Sequence, residues 1–370
     1  QTKHCHVGLG RLDKILEPYI QDLADDEIIA VINDFYAELH NYFAYKSVSL
    51  MGDTGQLIII GGKETDGEYF CNRLTYCFIK AIKQSKLPDP KLLLRVSSNM
   101  PEDLLSLALD CNMTGIGSPL LSNDERVIPA LEAFGYTHED ACNYVTSACW
   151  EPFSYGNALG RNNLNTVNYA KVLEDVYKAK DFSEIRDYTS LTNMYCKKLK
   201  ANVENILADI DKIRWERNPL MSLFISDCTK FGKDVSEGGA VHNDYGILAV
   251  GLANAVDSLL NIKHLVFENA SLSLQELKNA AIGDFSANEN LRKMLSDNAY
   301  FAHEDTEVLE LITKITSVVE NCCKDYTNYL GGKAKFGLSS PSYMEEGEKI
   351  GATFDGRRGY KPLSVHISAK

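Results

Sequence analysis

No stretch of this chain approaches the roughly 18 consecutive apolar residues of a membrane-spanning helix. Leu57 to Ile60 is apolar but short, and Gly61-Gly62 stops it. The N-terminus, Gln1-Thr2-Lys3-His4-Cys5, has no apolar segment of the secretory kind. Basic residues are in the minority: 38 Lys and Arg against 51 Asp and Glu leave a formal charge of -13. A surface this acidic repels phosphate backbones, which argues against nucleic acid as a partner. There is no C-x-x-C pair, no G-x-x-x-x-G-K phosphate loop, no internal repeat and no Pro/Gly/Ser-rich linker. The 10 cysteines are scattered, and a chain of 370 residues does not need disulfides to hold a core. They read as reduced, cytosolic thiols, most of them small core residues. Gln1 is not an initiating residue, so the chain is expected to be processed or excised from something longer.

What is present is ordinary globular material, 45% hydrophobic and 24% charged. The pattern is a helix followed by alternating strands and helices. A helix is expected over 25–45, a buried strand over 57–60 and a helix over 66–84. Lys91 to Val96 reads as a strand, and Pro101 opens a helix. A turn follows at 115–119. Glu125 to Phe134 reads as a helix capped by Gly135, and Asn143 to Thr146 as a short strand. Long amphipathic helices are expected over 245–268 and 306–329, with Cys322 on the apolar face of the second. The stretch 331–370 reads as loop with weak strand signals. Such alternation favours an α/β barrel or a doubly wound sheet.

Cys149 and Glu151 are the residues best suited to chemistry. They lie two apart just after a strand, with Pro152 fixing the backbone behind them. In a shared pocket the thiol can exchange a hydrogen atom and the carboxylate can move a proton. The plain alternative is a buried cysteine and a surface glutamate on a loop. Arg161, Asn162, Asn163 and Asn165 follow closely. They either hydrogen-bond a polar substrate or cap a helix starting near Asn165. Trp150, Tyr155 and His242 are further pocket candidates. His4-Cys5-His6 lacks the distant ligands that a metal needs, so no metal site is expected. Cys322-Cys323 reads as core packing.

Several segments, in order, resemble the pyruvate formate-lyase and glycerol dehydratase superfamily of glycyl radical enzymes. They are Gly10-Arg11-Leu12-Asp13, Gly61-Gly62, Asn72-Arg73-Leu74, Pro90 to Arg95, Gly115 to Pro119, Asn123-Asp124-Glu125 and Gly135 to Tyr144. Cys149-Trp150-Glu151-Pro152, Gly251-Leu252-Ala253 with Asp257-Ser258-Leu259, and Gly351 to Arg357 complete the series. The resemblance implies a ten-stranded β/α barrel, incomplete here, with Cys149 on an interior loop. It treats residues 1–370 as a single core without the N-terminal helical region and the C-terminal radical domain. Cys149 would become a thiyl radical, with Glu151 as the base. The family carries its radical glycine in an R-x-x-G-Y type segment. Gly356 stands where that arginine should be, so Gly359 is assigned no radical role, and no residue of this chain is.

The same resemblance implies no directly bound cofactor. The glycyl radical would come from a missing segment or a separate chain, installed by an activase using an iron–sulfur cluster and S-adenosylmethionine. A homodimer in the cytoplasm of an anaerobic bacterium, or in a microcompartment, is expected. Ala148 and Trp150 flank the cysteine, so acyl transfer through a cysteine pair is disfavoured. Dehydration, or another elimination from a small polar substrate such as a diol or amino alcohol, is favoured. Radical decarboxylation and an inactive binding protein are the alternatives. Ala148, Trp150 and Phe354 each depart from the residues usual at their positions.

Overall fold

The computed structural model describes residues 7–43, 56–146, 151–303, 305–338 and 342–364. Contacts divide the chain into two compact units, Gln1–Ala158 and Leu159–Lys370.

In the first unit four parallel strands lie in the order β1 (Val7–Arg11), β2 (Gln56–Ile60), β3 (Lys91–Val96), β4 (Leu120–Asn123). Four helices alternate with them: α1 (Asp25–Phe43), α2 (Arg73–Ser85), α3 (Glu102–Asn112) and α4 (Asp124–Phe134). Parallel neighbours require such crossovers, and a sheet covered on both faces reads as continuous apolar sequence. That is the case in β2 and β3, where Leu57 to Ile60 and Leu92 to Leu94 are all fully buried. Alternation along the strand then splits them. Ile58, Ile60, Leu92 and Leu94 pack on the helices with Ile28, Tyr36, Phe78 and Leu104. Leu57, Ile59 and Leu93 face the other way and meet Val145 and Phe153. These two residues are directly opposed in an antiparallel hairpin, β5 (Tyr144–Thr146) and β6 (Pro152–Ser154). The helices therefore cover one face of the sheet and this hairpin covers the other.

In the second unit β8 (Tyr245–Val250) lies between β7 (Arg161–Asn168) and β9 (Ala334–Gly337), all parallel. Its long helices are α5 (Tyr169–Tyr177), α6 (Tyr188–Ile210), α7 (Leu252–Ile262) and α8 (Thr306–Lys324). Val167, Ile247 and Ala249 share one core with Leu173, Leu199, Leu259 and Val319 from these helices. Among the described residues the parallel strands number four in the first unit and three in the second, against the ten expected of a barrel. No helix among the described residues is long and apolar enough to cross a membrane.

Several expected elements are corrected. The helix expected over 245–268 begins as the strand β8; Gly251, in the left-handed region at φ 74°, turns the chain into α7. Six apolar residues fit a buried strand and a buried helix equally well, and only the pairing with β7 and β9 decides. The helix expected from 66 starts at Arg73, because Asn72 forms a capping box with Thr75. Residues 69–70 pair instead with Gly62–Lys63. The helix expected near Asn165 starts at Tyr169; Asn165 itself lies within β7, and Asn168 caps α5 by accepting from Lys171 N at 3.0 Å. The helix expected over 306–329 ends at Lys324, and Cys323 is the more deeply buried of the adjacent cysteines; the stretch expected as loop over 331–370 also carries a short helix, Tyr343–Glu348. The eight described cysteines are free thiols, five of them buried.

Phe354, departing from the usual proline, fills this second core. Its ring is fully buried, with centroids 5.0 Å from Tyr177 and 6.1 Å from Phe182, and its carbonyl accepts from Asn261 Nδ2 at 2.9 Å. Replacing Phe354 with Ala is expected to cost about 3–5 kcal/mol in denaturant unfolding; a change under 1 kcal/mol would contradict this packing. Glu125 receives Ser98 N, Ser97 Oγ and Ser98 Oγ at 2.8–3.0 Å just beyond β3. Led by the Ser98 amide, these donors hold its carboxyl at about 2, below the ordinary 4.5. The contribution is present above pH 4.5 and lost as pH falls towards 2. Glu125→Gln is thus expected to lower stability at neutral pH, with the gap from the parent closing over that window in acid titrations.

Candidate functional site

The β5–β6 register ends at the pair Thr146–Pro152, and Cys149 falls between these two strands in sequence. Cys149 and Trp150 lie outside the described residues, as do His4, Cys5 and His6. Glu151 is described: it is partly buried and immediately precedes β6.

A charged cluster that sequence reasoning did not single out as a unit holds the first residue of β5. Arg95 and Asp124 are fully buried and paired in fork fashion, Nε to Oδ1 at 3.0 Å and Nη2 to Oδ2 at 2.9 Å. Arg95 also donates from Nη1 to the Cys142 carbonyl at 2.9 Å, and its guanidinium lies 4.0 Å from the Tyr144 ring centroid. The Tyr144 hydroxyl donates to Asp124 Oδ1 at 2.7 Å and contacts Ser122 Oγ at 2.8 Å. Lys63 N donates to Asp124 Oδ2 at 2.7 Å. Gly62 belongs to the same arrangement: it sits at φ 117°, and an added Cβ would lie 2.5 Å from Arg95 Nε. Tyr144 opens β5, so the cluster holds the hairpin strand that leads directly to residue 147.

A second knot ties the N-terminal motif into the same unit. Asp13 is fully buried; Oδ2 accepts from Gly61 N and from Thr75 Oγ1, both at 2.7 Å, while its carbonyl accepts from Asn72 Nδ2 at 2.9 Å. Burial pushes its carboxyl above the ordinary range, against the lowering effect of these donors. Residues from six of the segments that carried the family resemblance, Asp13, Gly61-Gly62, Asn72, Arg95, Asp124 and Tyr144, thus converge into these two knots. The signal in the sequence was their ordered recurrence, and no spacing rule announces it.

The remaining candidates are placed as follows. Tyr155 is 47% exposed at the turn after β6; its amide donates to Asn143 O at 3.1 Å and its ring covers Gly10. Arg161, in the second unit, is buried at the start of β7. Its Nη2 donates to Val235 O at 2.8 Å, its Nη1 reaches Asn243 Oδ1 at 3.5 Å, and its guanidinium stacks 4.9 Å from the Trp215 ring. Burial lowers its pKa from the usual guanidinium range. Asn163 is exposed on β7 with φ 57°. His242 is partly buried, and its carbonyl accepts from Leu159 N at 3.0 Å. The structure brings His242 beside the strand start that holds Arg161. Gly359 is buried, with its amide donating to Asp284 Oδ1 at 2.7 Å.

Removing one partner of the fully buried pair strands the other charge. Arg95→Met is therefore expected to destabilise the protein by about 3–5 kcal/mol, with part recovered in Arg95→Met/Asp124→Leu. Equal losses in the single and double variants, measured by denaturant unfolding, would contradict a coupled pair.

Residues 1–344 match the sequence model of the family described as pyruvate formate lyase-like. The chain is 24% identical to the (2S)-3-sulfopropanediol dehydratase of Klebsiella oxytoca, covering 98% of this chain and 48% of that protein. In structure it is similar to the glycerol-bound form of the B12-independent glycerol dehydratase from Clostridium butyricum, with TM-score 0.88, 27% identity, and coverage of 97% and 49%. It shares the fold of a glycyl radical enzyme from Archaeoglobus fulgidus, with TM-score 0.84, 24% identity, and coverage of 98% and 50%. The chain spans about half the length of the curated relatives it matches. The fold is the α/β architecture of glycyl radical enzyme barrels, and the chain belongs to the pyruvate formate lyase-like family.

Proposed function

We propose that residues 1–370 are one core of a radical lyase in which Cys149 exchanges hydrogen atoms with substrate and Glu151 handles the accompanying proton. The observation that carries this reading is the placement of their hairpin. β5 and β6 pack on the helix-free face of the first sheet through Val145 and Phe153, and the buried Arg95–Asp124–Tyr144 cluster anchors β5. A glycine-centred radical would supply the initial acceptor for the thiol hydrogen. Gly359 is not assigned that part, because Gly356 stands where the arginine three residues before the radical glycine should be.

As a thiyl, the Cys149 sulfur takes one hydrogen atom from a hydroxyl-bearing carbon, so that an S–H bond forms as the C–H bond breaks. Glu151 accepts the hydroxyl proton while the neighbouring carbon releases its leaving group, and the proton leaves with that group. The Cys149 S–H then returns its hydrogen atom to the product radical, which restores the thiyl without net gain or loss of electrons. A carboxylate in a water-excluded pocket suits this proton transfer.

Ala148 and Trp150 beside the cysteine, together with the dehydratases among the similar proteins, favour elimination from a small polar substrate such as a diol or amino alcohol. An S-adenosylmethionine-dependent activating enzyme and a homodimeric assembly belong to the same proposal.

The test uses the full-length protein, activated under anoxia. Cys149→Ser is expected to retain the glycyl radical signal by electron paramagnetic resonance and to lose product formation by at least about 10³-fold. Glu151→Gln is expected to keep the signal and lose about 10²-fold or more. Turnover in Cys149→Ser near the parent rate would overturn the assignment. Carbon dioxide as the product, in place of water or another leaving group, would overturn elimination.

A further inference from the structure

A cavity of about 210 Å³ lies in the second unit, where the first turns of α6 and α8 meet the end of α7. Leu260 and Leu311 give it apolar wall, and Tyr188, Thr192, Glu310 and Lys314 give it polar wall. It is built from helices alone and depends in no way on the radical chemistry.

One polar group of this cavity lacks any partner, and two exposed charges at its rim, Lys314 and Glu310, carry no ion pair among the described residues. The Tyr188 hydroxyl is buried with no hydrogen-bond partner, a state that native proteins rarely leave unfilled. Lys314 Nζ donates to Thr192 Oγ1 at 3.0 Å and to Asn193 Oδ1 at 3.4 Å, and among the described residues no carboxylate pairs with it. Glu310 precedes Lys314 by four positions, the order that favours a helical ion pair, yet the two do not pair. The other charges at the cavity are taken up. Lys263 is bonded to Glu307, which also faces His264 Nε2 at 3.2 Å. Beyond Lys263 the helix widens, with Asn269 N bonding back five residues to His264 O at 2.9 Å. Such widened turns recur at ligand sites.

We propose that this cavity binds a small zwitterion. Its carboxylate is received by Lys314 and the Tyr188 hydroxyl, its ammonium by Glu310, and its aliphatic part by Leu260 and Leu311. The volume is below the roughly 300–1,000 Å³ of drug-sized sites, so the ligand has on the order of ten non-hydrogen atoms or fewer.

Calorimetric titration of the full-length protein with L-valine, isobutyrate and isobutylamine tests this. Valine is expected to bind saturably, and the two single-charge probes about tenfold or more weaker, the worth of one charge-assisted hydrogen bond. Lys314→Met and Glu310→Gln are each expected to weaken valine by a similar factor. Lys314→Arg is expected to retain binding. A valine-induced rise in melting temperature, present in the parent and absent in Lys314→Met, separates lost binding from lost folding. Failure of valine to bind, equal binding of all three probes, or unchanged affinity in both charge variants would overturn the proposal.

Discussion

The first unit depends on one buried ion pair. Taking Arg95 and Asp124 out of water costs several kcal/mol per charge, and only good geometry with further hydrogen bonds offsets this. Here the fork closes with two bonds near 3 Å, and Asp124 receives two more from Lys63 N and the Tyr144 hydroxyl. The guanidinium is completed by the Cys142 carbonyl and the Tyr144 ring. Such a pair adds less to stability than a well-packed apolar replacement can. What it supplies is a unique arrangement. The strand β3, the start of α4, the turn at Gly62 and the strand β5 must all be in register for every lone pair and N–H to be satisfied.

That constraint is felt at β5, the strand that precedes Cys149 and Glu151 in sequence. A hairpin joined to the sheet by two apolar residues, Val145 and Phe153, can slide, because hydrophobic contacts are non-directional. The directional bonds of Tyr144 prevent sliding at the first residue of β5. The hydrogen-atom transfer proposed for Cys149 would depend on such fixed strands, since misplacement by an ångström costs rate steeply.

The second unit uses the same device on its loop from 351 to 364. Asp355 is buried and accepts from Thr353 Oγ1 at 2.5 Å and from Asn254 Nδ2 at 2.6 Å; Asn254 Oδ1 in turn accepts from Ser364 N at 2.9 Å. Phe354 anchors the loop between these bonds in the aromatic core. In both units irregular backbone is held by buried polar side chains, which explains why the residues carrying the resemblance are so often Asp, Asn, Arg and Gly.

Much of the first unit was legible before any coordinates. Lys91 to Val96 reads as a strand, the helix after Pro101 and the Gly135 cap follow from local rules, and the ordered motifs pointed to the family. Local rules failed where two structures fit one stretch. Tyr245 to Val250 is apolar enough for either period, and the order of its neighbours, unreadable from the stretch itself, made it a strand. Arg161 looked free to meet a substrate, yet its guanidinium is held by Val235, Asn243 and Trp215, which lie far along the chain. By itself the sequence determined which residues are able to do chemistry and which short segments must turn, because these are properties of side chains and nearest neighbours. Only the tertiary structure decided which face of the sheet the hairpin covers, and that Arg95, Asp124 and Tyr144 form one buried cluster, because burial and charge pairing depend on distant partners that the fold alone brings within 3 Å.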